Sequence, residues 1–151
     1  LKEEKAAMVS ISQDGKTLDF DPVTGFISFD GGSKKFVIRY DTLSGKYWTL
    51  ANVVKEKYRA QFPDRNPSGF RNVLMLKSSE DLKNWKEVKV ILEHEDVLYH
   101  GFQYVDWCFE GEDLLVLSIT AYFDGKANAR NNHDANYLTF HRVENFRKLK
   151  K

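Results

Sequence analysis

The stretch Val37-Ile-Arg-Tyr-Asp41, followed by Trp48-Thr-Leu-Ala-Asn52, has a counterpart later in the chain. The counterpart is Gln103-Tyr-Val-Asp-Trp107 followed by Leu114-Leu-Val-Leu-Ser118, at a constant offset of 66 residues. In both places a glycine-containing turn separates two short apolar segments, which is the pattern of a β-hairpin. The sequence therefore predicts that one hairpin design is used twice.

Two further pairs of segments repeat at nearly the same distance. Ser12-Gln-Asp-Gly-Lys-Thr-Leu18 matches Ser79-Glu-Asp-Leu-Lys-Asn-Trp85 at an offset of 67, and Asn72-Val-Leu-Met-Leu76 matches Asn136-Tyr-Leu-Thr-Phe140 at an offset of 64. Alternation of β-branched or aromatic residues with turn residues predicts nine strands, near residues 6–11, 26–29, 36–40, 47–53, 72–77, 86–92, 101–107, 114–121 and 136–142. Only the 55–62 stretch is expected to form a turn or two of helix.

A period near 65 residues that holds four strands is typical of a β-propeller blade, in which four antiparallel strands form a radial sheet. We therefore predict an all-β fold and an incomplete propeller of about two and a third blades. Residues 1–29 would end one blade, residues 30–93 would form a full blade, and residues 94–151 would form a third blade without its outer strand. A β-sandwich would give similar strands without this register.

Blades bury their faces only against other blades, so an isolated pair would expose apolar surface. We expect either the remaining blades of a larger protein or a second copy, in a homodimer, to cover these faces. The chain opens with Leu1 and has no signal-peptide core, so we expect that a segment was removed upstream.

Composition excludes several classes of function. The 23 basic and 22 acidic residues nearly cancel, so no net field favours nucleic acid. No apolar run approaches the roughly 18 residues of a membrane span. The one cysteine, Cys108, excludes an internal disulfide. The sequence also predicts no cofactor.

Loop length predicts which end of the sheets carries function. The connections near residues 30–35, 54–70, 93–100 and 122–135 are long and polar, and those at the other end are tight turns. Binding residues lie preferentially on long loops held by rigid strands. The predicted substrate-binding residues at this end are Arg71, His100, Gln103, Tyr104, His133 and Asn136. Asp134 and Asp106 are the candidate catalytic carboxylates.

These residue types suit a polyhydroxylated or acidic sugar. Arginine offers a planar cation to a carboxylate, histidine and asparagine bond hydroxyl groups, and tyrosine offers a ring face. Each also has a structural interpretation: Asn72 and Asn136 would fix turns, His133 with Asp134 would hold a loop, and Arg39 with Asp106 would form a buried pair. His94, Glu95, Asp96 and His100 have metal-binding chemistry but lack ligand spacing, so we predict no metal site.

Ser12-Gln-Asp14-Gly15-Lys-Thr17 resembles the Asp box of bacterial-neuraminidase repeats, with Leu18 where that motif has tryptophan. Ser78-Ser-Glu-Asp-Leu-Lys-Asn-Trp85 resembles a hairpin of glycoside-hydrolase propellers. The strings His100-Gly-Phe-Gln-Tyr-Val-Asp-Trp107 and His133-Asp-Ala-Asn-Tyr-Leu-Thr-Phe-His141 are similar to the C-terminal blades of sialidase-like proteins. The resemblance implies a secreted or periplasmic glycan-active protein, with Arg71 where an arginine of the sialidase carboxylate-binding triad would lie.

Three functions follow as alternatives. The chain would be part of a sialidase-like glycoside hydrolase and supply part of the substrate-binding wall. It would instead be a non-catalytic carbohydrate-binding propeller, or an interaction module whose exposed faces associate. A glycosidase needs two carboxylates, or a tyrosine nucleophile and an acid, across the scissile bond.

Overall fold

The computed structural model describes residues 3–123, 125–126 and 129–150. The outermost residues of the predicted first and third units, 1–2 and 151, lie outside this range, as do residues 124, 127 and 128 of one long connection. The strands are β1 (Lys5–Ala7), β2 (Ser10–Ile11), β3 (Leu18–Asp19), β4 (Phe26–Ser28), β5 (Val37–Asp41), β6 (Lys46–Asn52), β7 (Val73–Ser79), β8 (Trp85–Glu93), β9 (Gly101–Glu110), β10 (Asp113–Ala121) and β11 (Tyr137–Val143).

The helical segments are short and lie between strands or after them. The helix α1 (Glu56–Gln61) falls within the stretch where a turn or two of helix was predicted, and 3₁₀ turns cover Pro67–Gly69 and Phe146–Lys148. The prediction of an all-β fold is confirmed.

All strand pairs in the described residues are antiparallel. The first large sheet has the order β5-β6-β7-β8, and the second has the order β9-β10-β11. Each is a meander of neighbouring strands in chain order, which short turns make possible. The N-terminal strands form two small pairs, β1 with β4 and β2 with β3.

The largest hydrophobic core lies between the two sheets. Aromatic and branched side chains fill it and exclude water, which is the main favourable contribution to folding. The first sheet contributes Trp48, Leu50, Leu74, Leu76 and Val88, and the second sheet contributes Phe102, Val105, Trp107, Leu114, Val116 and Val143.

An ion pair joins the two halves at the tight-turn end. Arg147 binds Asp41 with two parallel bonds, Nε to Oδ2 at 2.7 Å and Nη2 to Oδ1 at 2.8 Å. Asp41 ends β5, and Arg147 follows β11 in the 3₁₀ turn. These bonds hold the pKa of the buried Asp41 carboxyl well below its usual range, with a smaller contribution from Ser44. The bidentate geometry fixes one sheet against the other.

The opposite face of the first sheet is also covered. Val73 and Met75 of β7 pack there against Tyr58 of α1, Phe70 and Val97. Phe29 lies 5.3 Å, ring to ring, from Trp85, at the start of β8. Every residue of β7 is therefore buried, and the first sheet forms the middle layer of the molecule.

The hairpin registers correct the predicted repeat by one residue. Asp41 pairs with Lys46 at the end of one hairpin, and Glu110 pairs with Asp113 at the end of the other. Aligning the two turns relates β6 to β10 by 67 residues rather than 66. The offset of 64 between β7 and β11 agrees with this alignment, because Tyr47 faces Ser79 and Leu114 faces Val143.

This one-residue difference decides which face each side chain occupies, because neighbouring residues of a strand point to opposite faces. The four residues of the first sheet that pack on the second are Trp48, Leu50, Leu74 and Leu76. Their counterparts are Leu115, Leu117, Leu138 and Phe140. These counterparts do not face the shared core, and the last three are exposed. The two sheets thus use equivalent faces in the same rotational sense.

We call the face that carries Leu115, Leu117, Ile119, Leu138 and Phe140 the open face. Leu117 pairs with Phe140 and Ile119 with Leu138, so these side chains form one continuous apolar surface. Phe140, near its centre, is 61% exposed. A surface of this kind is typical of a face that another element covers.

Two leucines of β10 test the assignment of buried and open faces. Leu114 is 0% exposed and Leu117 is 46% exposed. We expect Leu114→Ala to lower the free energy of unfolding by about 3 kcal/mol, because it leaves a cavity between the sheets. Leu117→Ala, the matched control, should cost well under half as much. Urea unfolding followed by tryptophan fluorescence measures both, and equal losses would contradict the assigned faces.

Candidate functional site

The long connections meet at one end of the two sheets, opposite the tight turns. Asn132 is the centre of this meeting: its Nδ2 donates to Gly69 O at 2.6 Å and to Val97 O at 2.7 Å. Its backbone N–H donates to Leu98 O at 2.7 Å. One buried asparagine therefore ties together the β6–β7, β8–β9 and β10–β11 connections, which the sequence placed at the same end.

The start of β9 lies very close to neighbouring backbone. A Cβ on Gly101 would lie 2.3 Å from Asn132 O and 3.0 Å from Arg71 Cβ, so only glycine fits there. The next residue, Phe102, donates its N–H to Arg71 O at 2.8 Å. Arg71 and the residues that follow Gly101 are therefore brought to the same place. We call this region the mouth cluster: Arg71, Gln103, Tyr104, His133 and Asp134.

Tyr104 has an unusual backbone conformation for a strand residue. Its φ is +48°, in the left-handed region that residues with a Cβ rarely adopt. The register of β9 against β10 shifts at this point, because Asp106 faces Leu117 but Gln103 faces Ile119. A bulge of this kind redirects a side chain, and such strain recurs at functional sites. Here it leaves the Tyr104 ring exposed at the mouth.

Three polar side chains follow one another in the mouth cluster. The Tyr104 hydroxyl lies 3.1 Å from His133 Nε2. His133 Nδ1 lies 3.7 Å from Asp134 Oδ1. Both His133 and Asp134 are about half exposed, so a ligand in solvent can reach them. A phenol, an imidazole and a carboxylate in this order can exchange hydrogen bonds with hydroxyl groups and move a proton between them.

Gln103 lies beneath these groups and is 1% exposed. Its Nε2 donates to the backbone oxygen of His133, which fixes the position of that residue. Its Oε1 is buried without a hydrogen-bond partner in the described part of the chain. An unsatisfied buried acceptor costs free energy, so this oxygen is a place where a bound donor would be stabilising.

Arg71 is half-buried, and its guanidinium has no carboxylate partner among the described residues. Burial lowers its pKa, and the only opposing influence comes from Tyr104. The charges of Arg71 and Arg59 also act on the buried Lys34, which pairs with Glu4 at 2.7 Å. This end of the molecule therefore carries a cation that no protein anion balances.

The predicted ligand role of His100 is not supported by its position. Its side chain is 5% exposed, and its ring stacks on His94 at 3.5 Å between centroids. His100 Nε2 accepts the N–H of Phe123, and Nδ1 lies 3.3 Å from Asp96 Oδ2. Because both ring nitrogens have protein partners, His100 stabilises the loops behind the mouth.

Asp106 lies further along β9 and is engaged by Arg39. Arg39 Nη2 donates to Asp106 Oδ1 at 3.0 Å, and the Asp106 side chain is 68% exposed, so the pair is not the buried one expected. The backbone N–H of Trp107, followed by Arg39, holds the Asp106 pKa below its usual value. A carboxyl held ionised in this way is a poor general acid. Only Asp134 of the two predicted carboxylates belongs to the mouth cluster.

The asparagines at the starts of β7 and β11 fix the chain, as their structural interpretation predicted. Asn136 Oδ1 accepts the N–H of Tyr122 at 2.9 Å, and its Nδ2 donates to Tyr122 O at 2.9 Å. Asn72 Nδ2 donates to His94 O at 2.8 Å. The sequence gave no signal for Asn132, because an asparagine in a polar run is indistinguishable from its exposed neighbours until the loops meet.

The hairpins that resemble Asp boxes lie at the opposite end and share one geometry. Ser12 Oγ donates to Asp14 Oδ1 at 2.6 Å, and Ser79 Oγ donates to Asp81 Oδ1 at 3.0 Å. In each hairpin the carboxylate also accepts backbone N–H groups of the turn. Their role is to close turns, away from the mouth cluster.

Within the described residues no group of three or more His, Cys, Asp or Glu side chains is arranged to hold a metal ion. No helix in that part of the chain is long and apolar enough to span a membrane. Comparison with protein-family models, with curated proteins and with solved structures gives no match. Function is therefore argued from the mouth cluster itself.

The left-handed conformation of Tyr104 gives a test by substitution. We expect Tyr104→Gly to be about 1 kcal/mol more stable than Tyr104→Ala, because glycine adopts positive φ without penalty. Asp106, which has no positive φ, is the matched control on the same strand. There Asp106→Ala should be the more stable of the two variants. Thermal unfolding measures all four, and the same order at both positions would show that Tyr104 is unstrained.

Proposed function

We propose that this chain forms consecutive blades of a β-propeller of the sialidase-like type and that its mouth cluster binds an acidic glycan. The support for a propeller is rotational. Equivalent residues of the two sheets face the same way around, with one set buried against the next sheet and the other set on the open face. A two-layer sandwich would instead point both sets at one shared core. A third sheet of the same design would cover the open face.

The observation that carries the choice of ligand is Arg71. Keeping a half-buried cation without a counter-ion is unfavourable, and a bound carboxylate would offset that cost with a bidentate, charge-assisted pair. Tyr104 and His133 lie beside it and suit hydroxyl groups, and Gln103 Oε1 lacks a donor. A sugar that carries a carboxylate next to several hydroxyl or amide groups has the complementary chemistry.

The chain would serve as part of the substrate-binding wall of a glycoside hydrolase. Asp134 is the only carboxylate of the mouth cluster, so a second catalytic group would be Tyr104 or would come from other blades. The alternative is a non-catalytic carbohydrate-binding propeller, which the Arg39 pairing of Asp106 favours. Turnover of chromogenic glycosides that is lost in Asp134→Asn would favour the hydrolase, and binding without turnover would favour the alternative.

Replacing Arg71 tests the proposed ligand class. We expect Arg71→Gln to weaken binding of sialyllactose or of galacturonate oligomers by at least about tenfold, because a hydrogen bond to a charged group is lost. Binding of the wild-type chain should also weaken with added salt. Isothermal titration calorimetry with these oligosaccharides and with neutral lactose measures the difference.

Arg142→Gln is the matched control. Arg142 is paired with Asp113 at 3.3 Å, at the tight-turn end, so this variant loses the same charge away from the mouth. It should bind acidic sugars as the wild type does. Equal binding of lactose and sialyllactose by the wild type, or equal effects of the two substitutions, would refute the proposed site.

The open face gives an independent test of the propeller arrangement. Because an apolar sheet face without a cover favours association, we expect the chain to show a concentration-dependent mass in sedimentation velocity. Phe140→Lys places a charge at the centre of this face and should shift the chain toward monomer. Leu43→Lys, in the β5–β6 turn, adds the same charge elsewhere and should have no effect. A strictly monomeric wild type would argue against an unfilled blade interface.

A further inference from the structure

Two of the four histidines lie face to face behind the mouth cluster. His94 and His100 are in the β8–β9 connection, with ring centroids 3.5 Å apart and ring planes 13° from parallel. His100 is buried and His94 is half-buried. The edge of Tyr122 closes one side of the stack, 4.9 Å from His100. We call His94 and His100 the histidine pair.

The hydrogen bonds of the histidine pair require both rings to be neutral. His94 Nδ1 accepts the backbone N–H of Asp96 at 3.1 Å, so the ring proton of His94 is on Nε2. His100 Nε2 accepts the N–H of Phe123 at 3.3 Å, so its proton is on Nδ1, which faces Asp96 Oδ2 at 3.3 Å. A protonated imidazole has no acceptor, so adding a proton to either ring breaks one of these bonds.

The groups that face the pair do not remove this conflict. Burial, followed by the charge of His100, lowers the pKa of His94, and the carboxylates of Asp96 and Glu95 oppose that shift less strongly. Tyr122 is uncharged at neutral pH and presents its ring edge. Two imidazolium rings at stacking distance would also repel each other.

The histidine pair is connected to the mouth cluster through the backbone of its own loop. Asp96 Oδ1 accepts the N–H groups of Leu98 and Tyr99 at 2.8 and 3.0 Å, which sets the conformation of the loop. The carbonyl oxygens of Val97 and Leu98 in that loop are the acceptors of Asn132. Asn132 directly precedes His133. A change at the pair is therefore carried to the mouth by three consecutive hydrogen-bonded segments.

We propose that the histidine pair is a pH-sensitive contact that holds the mouth cluster in place at neutral pH and releases it on acidification. Protonation frees the Asp96 and Phe123 N–H groups, loosens residues 94–100 and removes the acceptors that position Asn132. His133 then loses its fixed place beside Tyr104. The further consequence, weaker glycan binding in acid, rests on the proposed function; the release itself does not.

The direction of the pH dependence follows from linkage. The pKa of His94 is lower in the folded chain than in the unfolded chain, so the unfolded state binds more protons as the pH falls. This contribution to stability is fully present above the free histidine value of about 6.5 and is lost as the pH falls toward the folded value.

Nuclear magnetic resonance on the full chain tests the proposal without any ligand. Imidazole ¹⁵N shifts should show the Nε2–H tautomer for His94 and the Nδ1–H tautomer for His100, and His94 should titrate below free histidine. Amide exchange, expressed as protection relative to an unstructured chain at each pH, should fall for Asp96, Phe123 and Asn132 with the same midpoint. Below that midpoint the loss should approach about tenfold per pH unit, because the neutral fraction falls tenfold.

The variants His94→Phe and His133→Gln separate this contact from a general acid effect. His94→Phe keeps a flat ring in the stack but cannot take a proton, so Asn132 protection should lose most of its pH dependence. His133→Gln removes a titrating group of the mouth and should leave that dependence intact. Unchanged Asn132 protection in the wild type between about pH 7.5 and about pH 5, or titration of His94 above free histidine, would overturn the proposal. Because the wild-type measurement is decisive alone, a poorly folded variant leaves it testable.

Discussion

Packing of the β5–β8 sheet on the β9–β11 sheet is the constraint on which the rest of the structure depends. Trp48, Leu50, Leu74 and Leu76 bury their side chains only because the second sheet lies against them. This contact also places the starts of β7 and β9 side by side, so that Phe102 bonds to the backbone of Arg71. Without it, the residues of the mouth cluster would belong to separate hairpins.

Polar groups then convert this packing into a single arrangement. Apolar burial is not directional, so it does not by itself fix how the long connections meet. The amide of Asn132 does so, because its two donors need two specific carbonyl groups and the site is buried. At the other end Arg147 and Asp41 do the same for the turns. The two ends differ in consequence: one closes hairpins, and the other leaves polar side chains in solvent.

The mouth cluster departs from what would be most stable for an isolated domain. Tyr104 accepts a strained backbone, Arg71 keeps an unbalanced charge, and Gln103 keeps an unsatisfied oxygen. Such costs are tolerated where a ligand repays them, and they lie within a few residues of one another here. The histidine pair behind the cluster adds a neutral polar contact whose hydrogen bonds depend on pH. Together these features describe a site held in readiness by its surroundings.

The sequence by itself determined the all-β class, the positions of the main strands and the end at which the polar connections gather. It could do so because alternation and turn residues are local properties of the chain. It placed Arg71, Gln103, Tyr104, His133 and Asp134 in one region for the same reason. It did not determine the repeat register correctly: a difference of one residue in β10 reverses the face of every side chain, and only pairing across the hairpin fixes it.

Tertiary structure alone decided which of the polar residues face solvent. His100 and Asp106 have the same chemistry in the sequence as His133 and Asp134, but His100 stacks in the interior and Asp106 pairs with Arg39. The role of Asn132 and the bulge at Tyr104 were likewise invisible, because both depend on segments distant in the chain. Composition and spacing record what a side chain can do, and burial and partners, which exist only after folding, decide what it does.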